Sequence, residues 1–142
     1  MTLYLDASAL VKLYVDEQHS SGTKCVVAQA DQVGFAVVGY TEARAAFARR
    51  ARSGDLSTDE LTDLVSALDA DLSAYLRIGV SEGVALVAGI LAQEHALRGF
   101  DAIHLAAALL LNRDRGDVTF LAFDDRLNQA ASAILPLQSV NL

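Results

Sequence analysis

The chain has 142 residues, 53% of them hydrophobic, and carries 18 acidic against 11 basic side chains for a formal net charge of −7. That length suits a single domain, residues 1–142, burying roughly 70% of its unfolded surface. The surplus of acid argues against binding nucleic acid through bulk positive charge.

The one cysteine, Cys25, cannot close an intrachain disulfide, which agrees with a reducing compartment. Cys25 sits in an apolar helical segment and is expected in the core. No basic stretch followed by an apolar one opens the chain, so no secretory signal is read. The longest apolar-and-glycine run, Gly83 to Ala92, is far short of the ~20 residues that span a bilayer, and a cytoplasmic location is expected.

Leu3 to Leu5 read as a short buried strand ending at Asp6, with Ser8 two residues on. Leu10, Val11, Leu13 and Tyr14 then keep helical spacing. Asp6 either caps that helix or stands at the carboxyl edge of a sheet, where open α/β folds place their ligands. A second helix is predicted over Asp16 to Ala30 and a second strand over Val33 to Val38. Gly39-Tyr40-Thr41 leads into an alanine- and arginine-rich helix, Glu42 to Arg52, with Thr41 as N-cap and Glu42 in the first turn. Ser53-Gly54 ends it.

Ser57 and Glu60 form a capping-box pattern ahead of an amphipathic helix through Leu61, Leu64, Val65, Leu68 and Leu72. The acids of that helix, Asp59, Glu60, Asp63, Asp69 and Asp71, read as a solvated face. Leu76 to Val80 is a third strand, and Ser81 caps a helix running to His95. Asp101 opens a helix through Leu111 that is apolar almost all round and should be the most buried one. Val118 to Phe123 is a fourth strand, ending in Asp124-Asp125. Arg126 to Ala133 is a short helix, and Leu137 to Val140 a last edge strand after Pro136. Continuous apolar strands alternating with helices predict a three-layer α/β/α sandwich around a parallel sheet of four or five strands.

In a parallel sheet all strand ends of one kind lie on one side. Asp6, Glu42, Asp101 and Asp124 each follow a strand or open a helix at that side, so they can converge. Two carboxylates at ~4 Å repel by roughly 4 kcal/mol at an effective dielectric of 20. A cluster of them therefore requires cations or protons, and hard oxygen donors suit Mg²⁺ or Mn²⁺. Such ions can activate a water and stabilise the leaving oxygen in phosphodiester cleavage.

Leu5-Asp6-Ala7-Ser8-Ala9-Leu10, Glu42 after the second strand, Phe100-Asp101-Ala102-Ile103-His104-Leu105-Ala106 and Phe123-Asp124-Asp125-Arg126-Leu127 resemble the successive motifs of PIN-domain endoribonucleases. The length and the setting of Glu42 are most similar to the VapC-type toxins of type II toxin–antitoxin pairs. The resemblance covers essentially the whole chain. It implies a Mg²⁺- or Mn²⁺-dependent RNase acting on RNA, often tRNA or rRNA, that homodimerises and is inhibited by a small cognate antitoxin. By motif position Asp6, Glu42, Asp101 and Asp124 are its catalytic acids, Asp6 and Asp101 the direct metal ligands, and Ser8 a supporting group. Ala122 departs from the family, whose members often carry Ser or Thr two residues before the fourth acid. Asp125 is a rival to Asp124 that should point away from the crevice.

His104 shares a helix face with Asp101 and reads as a hydrogen-bonded structural histidine. His19 and His95 are expected at the surface, and Tyr4 and Tyr14 in the core or at a dimer contact. Arg44, Arg49, Arg50 and Arg52 form either a solvated face or a surface for RNA phosphates or an acidic antitoxin tail. No zinc-type cluster or phosphate-loop motif is present. A non-catalytic PIN-like interaction module is the alternative function. An aspartate-nucleophile phosphatase is disfavoured, because Ser8 stands where a second Asp is wanted.

Overall fold

Leu3 and Leu5 point to one side of the first strand and Tyr4 to the other, and all three are fully buried. A strand covered on both faces belongs in the middle of a sheet. The computed structural model describes residues 1–140 and places it there. Strand β1 (Thr2–Leu5) lies between β2 (Gln32–Ala36) and β4 (Val118–Leu121), with β3 (Leu76–Ile78) outside β2. All pairings are parallel, with Leu3 beside Val33 on one flank and Thr119 on the other. The order β3-β2-β1-β4 reverses direction at β1, so the carboxyl ends of β1 and β4 flank a topological switch point.

Two cores follow from the alternation of side chains along the strands. On one face Leu3, Leu5, Phe35 and Leu121 pack with α1 (Ala7–Lys12), α3 (Val38–Arg52) and α4 (Thr58–Asp71), through Leu10, Phe47 and Leu68. On the other, Tyr4 and Phe120 pack with α5 (Glu82–His95), α6 (Gly99–Arg115) and α7 (Asp125–Ser132), through Leu91, Leu105 and Leu127. The Tyr4 and Phe120 rings stack 5.5 Å apart. Each large apolar side chain fully removed from water here contributes about 1.5–3 kcal/mol. Helix α6 is the most buried, with six of its residues enclosed. At Gly34 an added Cβ would fall 2.9 Å from the Leu76 Cβ, so glycine lets β2 and β3 approach.

The Ser57–Glu60 capping box and the Ser81 cap form as expected, and α3 stops at Arg52, with Ser53 as its cap and Gly54 turning the chain at φ +88°. The acids of α4 are exposed, although Asp69 and Asp71 accept the hydroxyls of Tyr40 and Tyr14.

Several boundaries differ. Helix α3 begins at Val38, so Thr41 is not its N-cap and Glu42 lies past the first turn. The Val37 N–H still bonds the Ile78 carbonyl in sheet fashion, and the chain winds directly from there. Strand β4 stops at Leu121, because the Phe123 N–H donates to Ser8 Oγ instead of to a strand. Helix α2 covers only Ser20–Gln29. Cys25 is exposed on it, since the helix buries just Ser20, Thr23 and Val26. Leu137 forms an isolated bridge to Phe120 rather than a strand to Val140. His19 is half-buried and stacked 5.2 Å from Phe123, and His95 is half-buried at the end of α5.

Candidate active site

One cavity of about 940 Å³ opens at the carboxyl edge of the sheet, and Asp6, Glu42, Asp101 and Asp124 all line it. They come from separate elements: the end of β1, α3, the first turn of α6, and the start of α7. Ser8, Arg49, Arg50, Arg98, Phe100, His104 and Phe123 complete much of the wall. Asp125 is exposed on the first residue of α7 and does not line it.

Asp6 is 4% exposed. It caps α1, with Oδ1 accepting the Ala9 N–H at 2.9 Å and the Ser8 hydroxyl at 2.6 Å. Capping and site placement are therefore compatible, because the cap uses one oxygen. Oδ2 has no hydrogen-bond partner among the described residues. Burial pushes the Asp6 carboxyl above its usual pKa, against the pull of the Ser8 and Ala9 bonds and of His104, with the Asp101 charge adding to the rise. Ser8 Oγ also accepts the Phe123 N–H at 3.1 Å, which ties Asp6 to the segment leading to Asp124.

Asp124 caps α7, with Oδ1 accepting the Leu127 N–H at 2.8 Å. Arg98 spans the mouth: Nε lies 3.3 Å from Asp101 Oδ2, and a terminal nitrogen lies 3.6 Å from Asp124 Oδ2. Glu42 Oε1 lies 2.6 Å from His104 Nε2. The His104 ring is 1% exposed, and its Nδ1 lies 2.9 Å from Tyr4 Oη. His104 is thus the hydrogen-bonded histidine expected, yet its partner is one of the acids. Sequence separation hides this contact, since Glu42 and His104 are 62 positions apart.

Among the described residues no three His, Cys, Asp or Glu side chains come close enough to enclose a metal ion. Asp101 and Asp124 are instead turned toward Arg98. The donor set itself fits a hard divalent cation: carboxylate oxygens, with Asp6 Oδ2 and Glu42 Oε2 lacking partners among the described residues.

The arginines of α3 do not act as one face. Arg49 and Arg50 line the cavity, and Arg50 pairs with Glu17. Arg44 donates to Tyr40 Oη at 3.1 Å and lies over that ring.

A parallel sheet with carboxylates gathered at its switch point defines an α/β domain built for chemistry at that edge. The PIN domain family model matches residues 3–133, and the chain belongs to that family. It is 39% identical over 131 residues to ribonucleases VapC45 and VapC49 of Mycobacterium tuberculosis, covering 92% of this chain and 90% of each relative, which places it with the VapC-type members. Its fold is similar to that in the crystal structure of VapBC2 from Rickettsia felis bound to a promoter DNA fragment (TM-score 0.69, 14% identity, 97% and 98% of the two chains). It is also similar to that in a toxin–antitoxin complex from Klebsiella pneumoniae (TM-score 0.59, 20% identity, 82% and 83%).

Proposed function

We propose that this protein is a Mg²⁺- or Mn²⁺-dependent endoribonuclease, the toxin of a toxin–antitoxin pair, working as a single nuclease domain in the cytoplasm. One observation carries the reading: acids from four separate elements line one cavity, where Arg98 is the only arginine or lysine paired with any of them among the described residues. The 39% identity to two curated ribonucleases supports the RNA substrate. The similarity to a toxin–antitoxin complex supports a small antitoxin partner. Exposed Leu86 and Ile90 on α5 offer apolar surface for a homodimer. No helix among the described residues is long and apolar enough to cross a membrane.

Asp6 and Asp101 would hold the ion, with Glu42 and Asp124 completing or orienting its surroundings. Bound there, a divalent cation supplies a Lewis acid that activates water and stabilises the leaving oxygen of a phosphodiester. Ser8 and the Ala9 N–H fix Asp6 Oδ1 and so aim Oδ2. Arg98 at the mouth and Arg49 on the wall are placed to meet RNA phosphates, for which forked guanidinium donors are suited.

The test is cleavage of total RNA, tRNA and rRNA included. Cutting is expected with Mg²⁺ or Mn²⁺ and is lost with EDTA or in Asp6→Asn, with the circular dichroism spectrum unchanged. Cutting that persists under both treatments overturns the reading. Absence of cutting under every condition would favour the non-catalytic module, which the separation of the acids into fewer than three per cluster otherwise suits.

A further inference from the structure

Glu42 differs from Asp6 and Asp124 in how it is held. Asp6 and Asp124 are fixed by backbone N–H groups of the helices they cap. Glu42 has a longer side chain with three rotatable bonds, and it stands past the first turn of α3, where no backbone N–H is free to bind it. Its one side-chain partner among the described residues is His104.

Counting protons along this contact gives it a direction. The Ala36 N–H, at the end of β2, donates to Tyr4 Oη at 3.0 Å. Tyr4 is fully buried, so its own proton needs an acceptor, and His104 Nδ1 at 2.9 Å is the one present. Nδ1 must then be bare, which puts the ring proton on Nε2, facing Glu42 Oε1 at 2.6 Å. The chain runs Ala36 N–H to Tyr4 O–H to His104 Nε2–H to Glu42. Every donor in it has an acceptor, and each bond polarises the next.

We propose that His104 and Tyr4 are positioning residues of the cleavage reaction, a buried relay that locks Glu42 Oε1 to the sheet and leaves Oε2 to serve the cation and substrate. The relay starts from the backbone of a central strand, so it holds a flexible carboxylate with the precision of the scaffold. It explains a histidine that is 1% exposed in the most buried helix. This inference rests on the metal-dependent nuclease reading.

The experiment is calorimetric titration of Mn²⁺ into the intact protein, with cleavage kinetics alongside. Hydrogen-bond partners behind metal-ligating groups change metal affinity or activity by about 10–100-fold when removed. His104→Ala is therefore expected to weaken Mn²⁺ binding at least ~10-fold and to lower kcat with KM little changed, as for a group acting on the reacting centre. His104→Gln, whose amide can still donate to Glu42, should recover most of the loss. In a Glu42→Gln background His104→Ala should cost nothing further, because both changes then act through one carboxylate.

Tyr4→Phe removes only the hydroxyl, serves if His104→Ala fails to fold, and should show a smaller loss that also disappears beside Glu42→Gln. Mn²⁺ affinity and kcat unchanged in His104→Ala and Tyr4→Phe, or losses that add to that of Glu42→Gln, would overturn the relay alone. A wild-type protein giving no heat with Mn²⁺ would overturn the metal-centre reading and the relay together.

Discussion

The two ends of the sheet treat their charges in opposite ways. At the amino end, Asp31 pairs with the N-terminal ammonium, and Asp117 accepts the Thr2 hydroxyl at 3.0 Å with Arg115 Nε at 3.5 Å. The Arg115 guanidinium also donates to Thr2 Oγ1 at 2.8 Å. Acid and base are matched there, and the cluster ties the starts of β1 and β4 together. At the carboxyl end, Asp6, Glu42, Asp101 and Asp124 face one cavity; among the described residues Glu42 meets only an imidazole, and Arg98 pairs with two of the others. Matched charge is what a stabilising contact needs. Unmatched charge held in place by caps and a buried relay lowers stability and is kept for a function.

Substitutions at the two ends should therefore part activity from stability. The largest effect is expected for Asp6→Asn and Asp101→Asn, each cutting RNA cleavage by ~10²-fold or more, the scale seen when a group acting on transition-state charge is removed. Single-turnover assays on a defined RNA check this, and near-normal rates would erase the distinction. Next comes Arg98→Ala. Losing a charge-assisted bond of about 1.5–3 kcal/mol to a phosphate should raise KM by roughly tenfold or more, read from the substrate dependence of the same assay.

Asp6→Asn also sharpens the stability side. Burial raises the Asp6 pKa in the folded chain, so the folded state holds this proton more tightly than the unfolded one. Without a cation, stability then declines as pH rises from the ordinary aspartate value near ~3.9 through the raised folded value. Asparagine keeps the oxygen that caps α1 and removes that decline. In EDTA at pH 7, Asp6→Asn should melt at the wild-type temperature or above it, and the advantage should vanish below pH ~3.9. A lower melting temperature at pH 7 would show that the charge is stabilising after all. The smallest effect is expected at the amino end. Asp117→Asn loses a half-exposed pairing with Arg115, about 0.2–1 kcal/mol by denaturant titration, with cleavage unchanged.

Much of this contrast was legible in the chain before its fold was known. A three-residue apolar run broken by Asp6, and a later one followed by Asp124-Asp125, mark parallel strands whose ends share an edge. Asp101 was legible from the apolar helix it opens. The limits were local and tertiary. Gly39-Tyr40-Thr41 looks like a turn, yet sheet bonding at Val37 lets α3 start at Val38. The apolar residues around Cys25 suggested a core helix, whereas α2 packs through one narrow stripe and leaves the thiol outside. Pairing of Tyr4 with His104, and of Arg98 with both Asp101 and Asp124, depends on how strands and helices are stacked. No periodicity records that.

The most direct measurement is a crystal of the wild-type protein soaked in Mn²⁺, with the ion located by its anomalous scattering. A peak is expected in the cavity at the ends of β1 and β4, coordinated by Asp6 and Asp101, with Arg98 displaced from Asp101. A cavity without a peak, or manganese bound at the amino end instead, would contradict it.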